Sequence, residues 1–274
     1  LDVLNGQTIF LQTDNPLLMS TLKVEQKGHV LLMELNRPQK MNAFNLEMLQ
    51  ALADAYTQLE DTEELRCGLL YAAGKHFTAG LDLAEVGPHV AKGNSMFDIS
   101  KVHPLQTLGR ARSKPVVVAV QGYCLTIGIE LLLAADIAVA HPETTFGQIE
   151  IKRGIFPFGG ATIRMPQRCG WGNAMRYLLT GDYFDGQEAY RIGMVQELAE
   201  DPFERALAIS ETIAAQAPLG VQATLINARR ALAEGEAAAL TELLELARRL
   251  MATEDAAEGM QSFLQRREAR FKGR

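Results

Sequence analysis

The chain has 274 residues, 47% of them hydrophobic and 22% charged, with a formal net charge of −6. That is an ordinary globular composition for one large domain or two smaller ones. It excludes a general nucleic-acid binder, because no basic excess is present to collect phosphates.

Residues 1–18 lack the basic flank and apolar block of a signal peptide. The run "MSTLKVEQKGHVLLMEL" from Met19 reads as a natural start, so residues 1–18 are expected to be a non-native N-terminal extension. "HVLLMEL" (29–35) predicts a strand, and Pro38 marks a polar connection after it. In "LEMLQALADAYTQLE", Leu49, Leu52, Ala53, Tyr56 and Leu59 keep helical spacing. "CGLLYAA" (67–73) predicts the next strand, left by a glycine-bracketed loop, "GKHFTAG". Residues 87–104 are rich in breakers and predict a mobile excursion, with Met96 and Phe97 expected to close over a ligand. "PVVVAV" (115–120) is a continuous β-branched run of the kind buried in parallel sheets. "GYCLTIG" turns into a helix carrying Glu130, and "DIAVA" (136–140) returns as a strand. After about residue 203 the pattern is helical, with one apolar stripe made of Leu240, Leu243, Leu244, Ala247, Leu250 and Met251. The boundaries expected are therefore an α/β core over 19–203 and a helical region over 204–274 that serves packing or assembly.

The stretch 122–140 is nearly long enough to span a bilayer, but Glu130 and Asp136 inside it argue against that. Cys67, Cys124 and Cys169 form no CxxC pair and no even disulfide set, which fits a reducing, cytoplasmic compartment. "GLLYAAGKH" fails as a phosphate loop, since five residues separate its glycines and His76 follows Lys75. "GWGNAM" lacks the third glycine of a dinucleotide fingerprint, and no GxSxG elbow occurs. The five histidines are scattered and no metal site is expected.

Two glycine-marked turns remain, "HFTAGLDL" and "GYCLTIGIE". At such turns, backbone N–H groups can leave their own ladder and converge on a ligand oxygen. Each alone is also ordinary connection chemistry. Glu130 alone reads equally as a helix first-turn acid, Glu150 as an exposed residue after a strand, and Asp82 as a capping residue.

The order of the pieces adds to this. "GKHFTAGLDL", "VQGYCLTIGIELLLAADIAVA", "TTFGQIEIKRGIFPFGGATIRM", "LLTGDYFDGQEAYRIGMVQEL" and "EDAAEGMQSFLQRREARFKGR" follow one another over about 20–274. Together they resemble the crotonase family, most of all its enoyl-CoA hydratases. The resemblance implies an α/β fold, a repeated ββα spiral with a C-terminal helical region that drives assembly into homotrimers or homohexamers. It implies an acyl-CoA substrate, no separate cofactor, no metal, and neither nucleic-acid nor membrane partners. The oxyanion-hole N–H groups map onto Leu81 and Ile127, and the two catalytic carboxyls onto Glu130, activating water, and Glu150, donating a proton. Lys40, Ala43, Ala79, Asp82, Phe158 and Lys272 fall where contacts to substrate or CoA are expected.

Three departures stand out. Thr126-Ile127-Gly128 replaces a glycine-rich run, with Ile127 expected to narrow backbone options. Phe156 and Phe158 are expected to reshape the acyl pocket. Ala84 stands where the family carries a lysine. Three readings stay open: a 2-enoyl-CoA hydratase, another crotonase reaction (isomerase, racemase or decarboxylase), and an acyl-CoA-binding or assembly protein without turnover.

Overall fold

The computed structural model describes residues 20–274; the expected extension at 1–18 lies outside the described residues. A six-stranded sheet organises the core, in the spatial order β1 (Leu22–Lys27), β2 (Val30–Leu35), β3 (Cys67–Ala72), β4 (Val116–Val120), β6 (Ile137–Ala140) and β8 (Glu197–Leu198). Only β1 runs antiparallel to its neighbour; the remaining pairs are parallel. Two short strands, β5 (Tyr123–Leu125) and β7 (Thr145–Gly147), pair in parallel as a second sheet.

The period-two alternation of strand side chains divides the core. Leu31, Met33, Leu35, Leu70, Val116, Val118 and Val120 face one cluster, shared with α1 (Leu46–Asp61) and α3 (Ile127–Ala134). Val30, Leu32, Leu69, Val117, Ala119 and Val139 face the other, where α7 (Pro202–Ala214) contributes Ala206, Leu207 and Ala214. Both faces of the sheet are covered, which is why β4 reads as an unbroken apolar run.

α1 begins where the Asn45 side chain accepts the Met48 N–H at 3.0 Å, and its spaced apolar residues are all buried, as expected. β1 was not legible: five of its six residues are exposed, so it carries no alternation. The segment 87–104 departs from expectation. Its start belongs to a helix, α2 (Leu83–Ala91), which continues through Gly87 and Pro88. Phe97 is buried edge-on against His103 in the core rather than over the site, whereas Met96 does face the cavity.

Past β7, a 3-10 turn (Glu150–Arg153), α4 (Ala161–Cys169), α5 (Trp171–Thr180) and α6 (Gly186–Arg191) complete the core. The C-terminal helices are α8 (Pro218–Glu234), α9 (Glu236–Leu240), α10 (Leu243–Met251) and α11 (Glu254–Gln265). α8 is tied to the core through Asp136, one of the two acids that counted against a membrane span. Its carboxylate accepts from Arg112 Nη1 at 2.6 Å, from Arg229 Nη2 at 2.8 Å and from the Val116 N–H at 2.8 Å. Burial opposes that charge, yet the two guanidinium groups hold the carboxyl below its usual range. Among the described residues, no helix is long and apolar enough to cross a membrane.

Candidate active site

The two glycine turns meet. Gly80 adopts φ +108°, and a Cβ there would lie 2.4 Å from Thr126 Oγ1, so the first turn packs directly against the second. The bridge between Phe44 and Leu81 uses the Gly80 carbonyl and the Asp82 N–H, leaving the Leu81 N–H facing away from it. Ile127 is the first residue of α3, where N–H groups have no intrahelical partner. Among the described residues neither the Leu81 nor the Ile127 N–H donates to a protein acceptor, and both residues line one cavity of about 460 Å³.

Strain in the second turn falls on Thr126, not on Ile127. Thr126 has φ +50° and ψ −113°, a conformation costly for a β-branched residue. Ile127 is helical and buried. The expectation that Ile127 restricts the backbone is corrected: the missing glycine matters one residue earlier.

Glu130 and Glu150 line the same cavity and are only 4% and 8% exposed. Glu130 Oε1 accepts the Gly159 N–H at 2.6 Å and the Ala161 N–H at 3.4 Å. Burial raises its carboxyl above the usual range, opposed by those two donors and by Arg164. Arg164 sits behind the Gly159–Gly160 segment: a Cβ at 159 would be 2.3 Å from Glu130 Oε2, and one at 160 would be 2.3 Å from Arg164 Nη1. The segment is thus threaded between an acid and a guanidinium, with space for no side chain.

Glu150 is pushed up to about 7, chiefly by burial and further by the charge on Glu130, against its own backbone hydrogen bond. Beneath it lies Gln148, fully buried. With the amide nitrogen turned toward the acid, Gln148 donates to Oε1 at 3.0 Å and to Oε2 at 3.1 Å. So the two N–H donors on Glu130 favour its ionised form against the burial that raises it, while Glu150, at about 7, stands between its two forms near neutral pH. Such a pair can take a proton from one side of a bound molecule and give one to it.

The other expected contacts divide. Ala79 and Phe158 line the cavity. Phe156 is 60% exposed and stays out of it. Lys40 ends a 3-10 turn (Pro38–Lys40), and Ala43 follows with its carbonyl bound to Arg37; neither lines the cavity. Asp82 starts α2 without a side-chain cap bond and pairs instead with Arg37 at 3.6 Å. Lys272 is placed elsewhere, in a cleft on the C-terminal helices beside Asp255, which accepts the Lys272 N–H at 2.6 Å. Gln148, Gly159 and Arg164 were missed, since nothing in sequence spacing shows which backbone or amide group will face a carboxylate.

The model of the enoyl-CoA hydratase/isomerase family matches residues 25–274. The chain belongs to that family. EchA19, an enoyl-CoA hydratase of Mycobacterium tuberculosis, is 30% identical over 92% of this chain and 96% of its own length. The 2,3-dehydroadipyl-CoA hydratase of Escherichia coli K12 is 34% identical over 93% and 100%. Among solved structures, a probable enoyl-CoA hydratase/isomerase from Mycobacterium abscessus superimposes with a TM-score of 0.90 at 52% identity, covering 93% of this chain and 99% of that one. The crotonase fold expected from sequence is thereby established for this family member.

Proposed function

We propose that the chain is a 2-enoyl-CoA hydratase, converting 2-enoyl-CoA thioesters to 3-hydroxyacyl-CoA. The observation that carries this reading is the pairing, in one cavity, of a donor-held Glu130 with a Glu150 whose carboxyl stands at about 7. The thioester carbonyl receives the Leu81 and Ile127 N–H groups, each worth roughly 2.7–4 kcal/mol to the transition state. Glu130 takes a proton from water as its oxygen bonds to C3. The electron pair of the double bond moves onto the thioester as an enolate, and Glu150 delivers a proton to C2. Each carboxyl contributes on the order of 10²–10⁴-fold. Nothing beyond the CoA already in the substrate is required.

Several relatives carry hydratase names, and those names differ in acyl group: 2,3-dehydroadipyl-CoA for the Escherichia coli protein and crotonyl-CoA for one from Syntrophomonas wolfei. An isomerase would use the same oxyanion hole. The two are separated by mass spectrometry of the product from a 2-enoyl-CoA, which gains one water in hydration. A product of unchanged mass would remove the hydratase assignment. We also place the enzyme in the cytoplasm, in line with three buried free cysteines, and assign it a trimeric or hexameric assembly through the C-terminal helices.

A further inference from the structure

The cavity wall is apolar except for Thr126, the two glutamates and one cation, Arg153. Arg153 lies three residues after Glu150 on the same 3-10 turn. With three residues per turn, positions i and i+3 eclipse, so Arg153 follows Glu150 onto the cavity face, one turn of about 6 Å further along. Its neighbour Lys152 goes outward, 3.8 Å from Asp182 and over the Tyr183 ring. The Arg153 side chain is exposed at the cavity rim and makes no hydrogen bond or ion pair with any described residue. A guanidinium is a fixed charge with a planar fork suited to carboxylates, and at the rim it is, among the described residues, the one cation beside an otherwise apolar wall that includes Val86, Val90 and Met96.

On the reading above, the thioester lies at Leu81 and Ile127 and C2–C3 lies between the glutamates. The turn beyond Glu150 then borders the acyl tail. We propose that Arg153 is a specificity-determining residue that binds an anionic group on that tail, so that the preferred substrate is an enoyl-CoA ending in a carboxylate rather than a methyl group. This rests on the hydratase reading only for the direction in which the substrate lies.

The test is calorimetric titration with hexanoyl-CoA and hexanedioyl-CoA, saturated ligands of equal length that bind without turnover. The wild-type protein is expected to bind the dioyl ester about ten- to hundredfold more tightly, the worth of a charge-assisted hydrogen bond. Arg153→Leu is expected to abolish that preference while leaving hexanoyl-CoA affinity within about twofold, which also reports folding. Arg153→Lys, keeping charge without the fork, is expected to retain part of it. Equal wild-type affinities would overturn the proposal, and that comparison needs no variant. So would an Arg153→Leu loss shared by both esters. A loss seen with hexanoyl-CoA but absent with hexanoyl-pantetheine would assign Arg153 to a CoA phosphate instead. A wild-type preference without hydration of any enoyl-CoA leaves this inference standing and removes the hydratase reading; hydration without preference does the reverse.

Discussion

Glu130 and Gly159 are bound as a unit: the Gly159 N–H donates to Glu130 Oε1 at 2.6 Å, and a Cβ on residue 159 would strike Oε2 at 2.3 Å. The Glu130 carboxylate, the proposed base, is positioned by a backbone that approaches only because it carries no side chain. Gly159→Ala must displace either the carboxylate or the segment 159–161. The expected result is a fall in kcat of about 10²-fold or more, as for a misplaced catalytic group, with a stability loss of about 1–3 kcal/mol from overpacking. Steady-state kinetics beside urea denaturation check it; unchanged kcat would show that the Glu130 position is not set by Gly159.

The raised Glu150 carboxyl gives a pH dependence with a definite sign. As the proposed proton donor it must be protonated, so kcat/KM is expected to fall as pH rises through about 7. Gln148 donates to the ionised form, so Gln148→Leu is expected to move that limb to higher pH. A pH–rate profile in which Gln148→Leu shifts the limb downward would contradict the arrangement.

The same group affects stability. Its value rises from the ordinary 4.5 to about 7 on folding. The unfolded chain therefore loses this proton first, and stability drains away as pH climbs through the window from 4.5 to about 7. Glu150→Gln removes the charge that cannot be solvated. It is expected to raise stability by on the order of 2–4 kcal/mol above that window and by little below it. Thermal melts on both sides of the window are the check.

Thr126 holds strain that glycine would release. Its φ of +50° is costly for a β-branched side chain, about 1–3 kcal/mol, while glycine adds about 0.5–1 kcal/mol of unfolded-state freedom. Thr126→Gly is therefore expected to be stabilising by about 1 kcal/mol, read from the urea midpoint. Destabilisation would mean that contacts of the Thr126 side chain outweigh its backbone strain.

Leu244 is 83% exposed in the single chain, Met251 77% and Phe263 82%. These apolar residues on α10 and α11 are the expected assembly surface. Light scattering is expected to give a trimer or hexamer for the wild-type protein and a smaller species for Leu244→Glu with Phe263→Glu. Wild-type monomers would remove the assembly reading.

The central strands and α1 were legible because burial on both faces writes continuous apolar runs, and a half-buried helix writes its period. β1 was hidden because its residues face solvent, and α2 because Gly87 and Pro88 resemble loop punctuation although the helix tolerates them. In the site, Glu130 was conspicuous as an acid among leucines. Its partners were not, because two are backbone N–H groups and the third, Arg164, acts from behind the Gly159–Gly160 segment. Thr126 was passed over for Ile127 because a sequence shows which residue replaced a glycine but not which φ that residue must adopt.

The most direct measurement is the loss of conjugated-thioester absorbance when a 2-enoyl-CoA is mixed with wild-type protein and with the Glu130→Gln, Glu150→Gln double variant. Rapid loss with the wild type and a fall of at least about 10⁴-fold in the correctly folded double variant is the expected result. Equal turnover by the two proteins would contradict the claim that these two carboxyls carry the hydration.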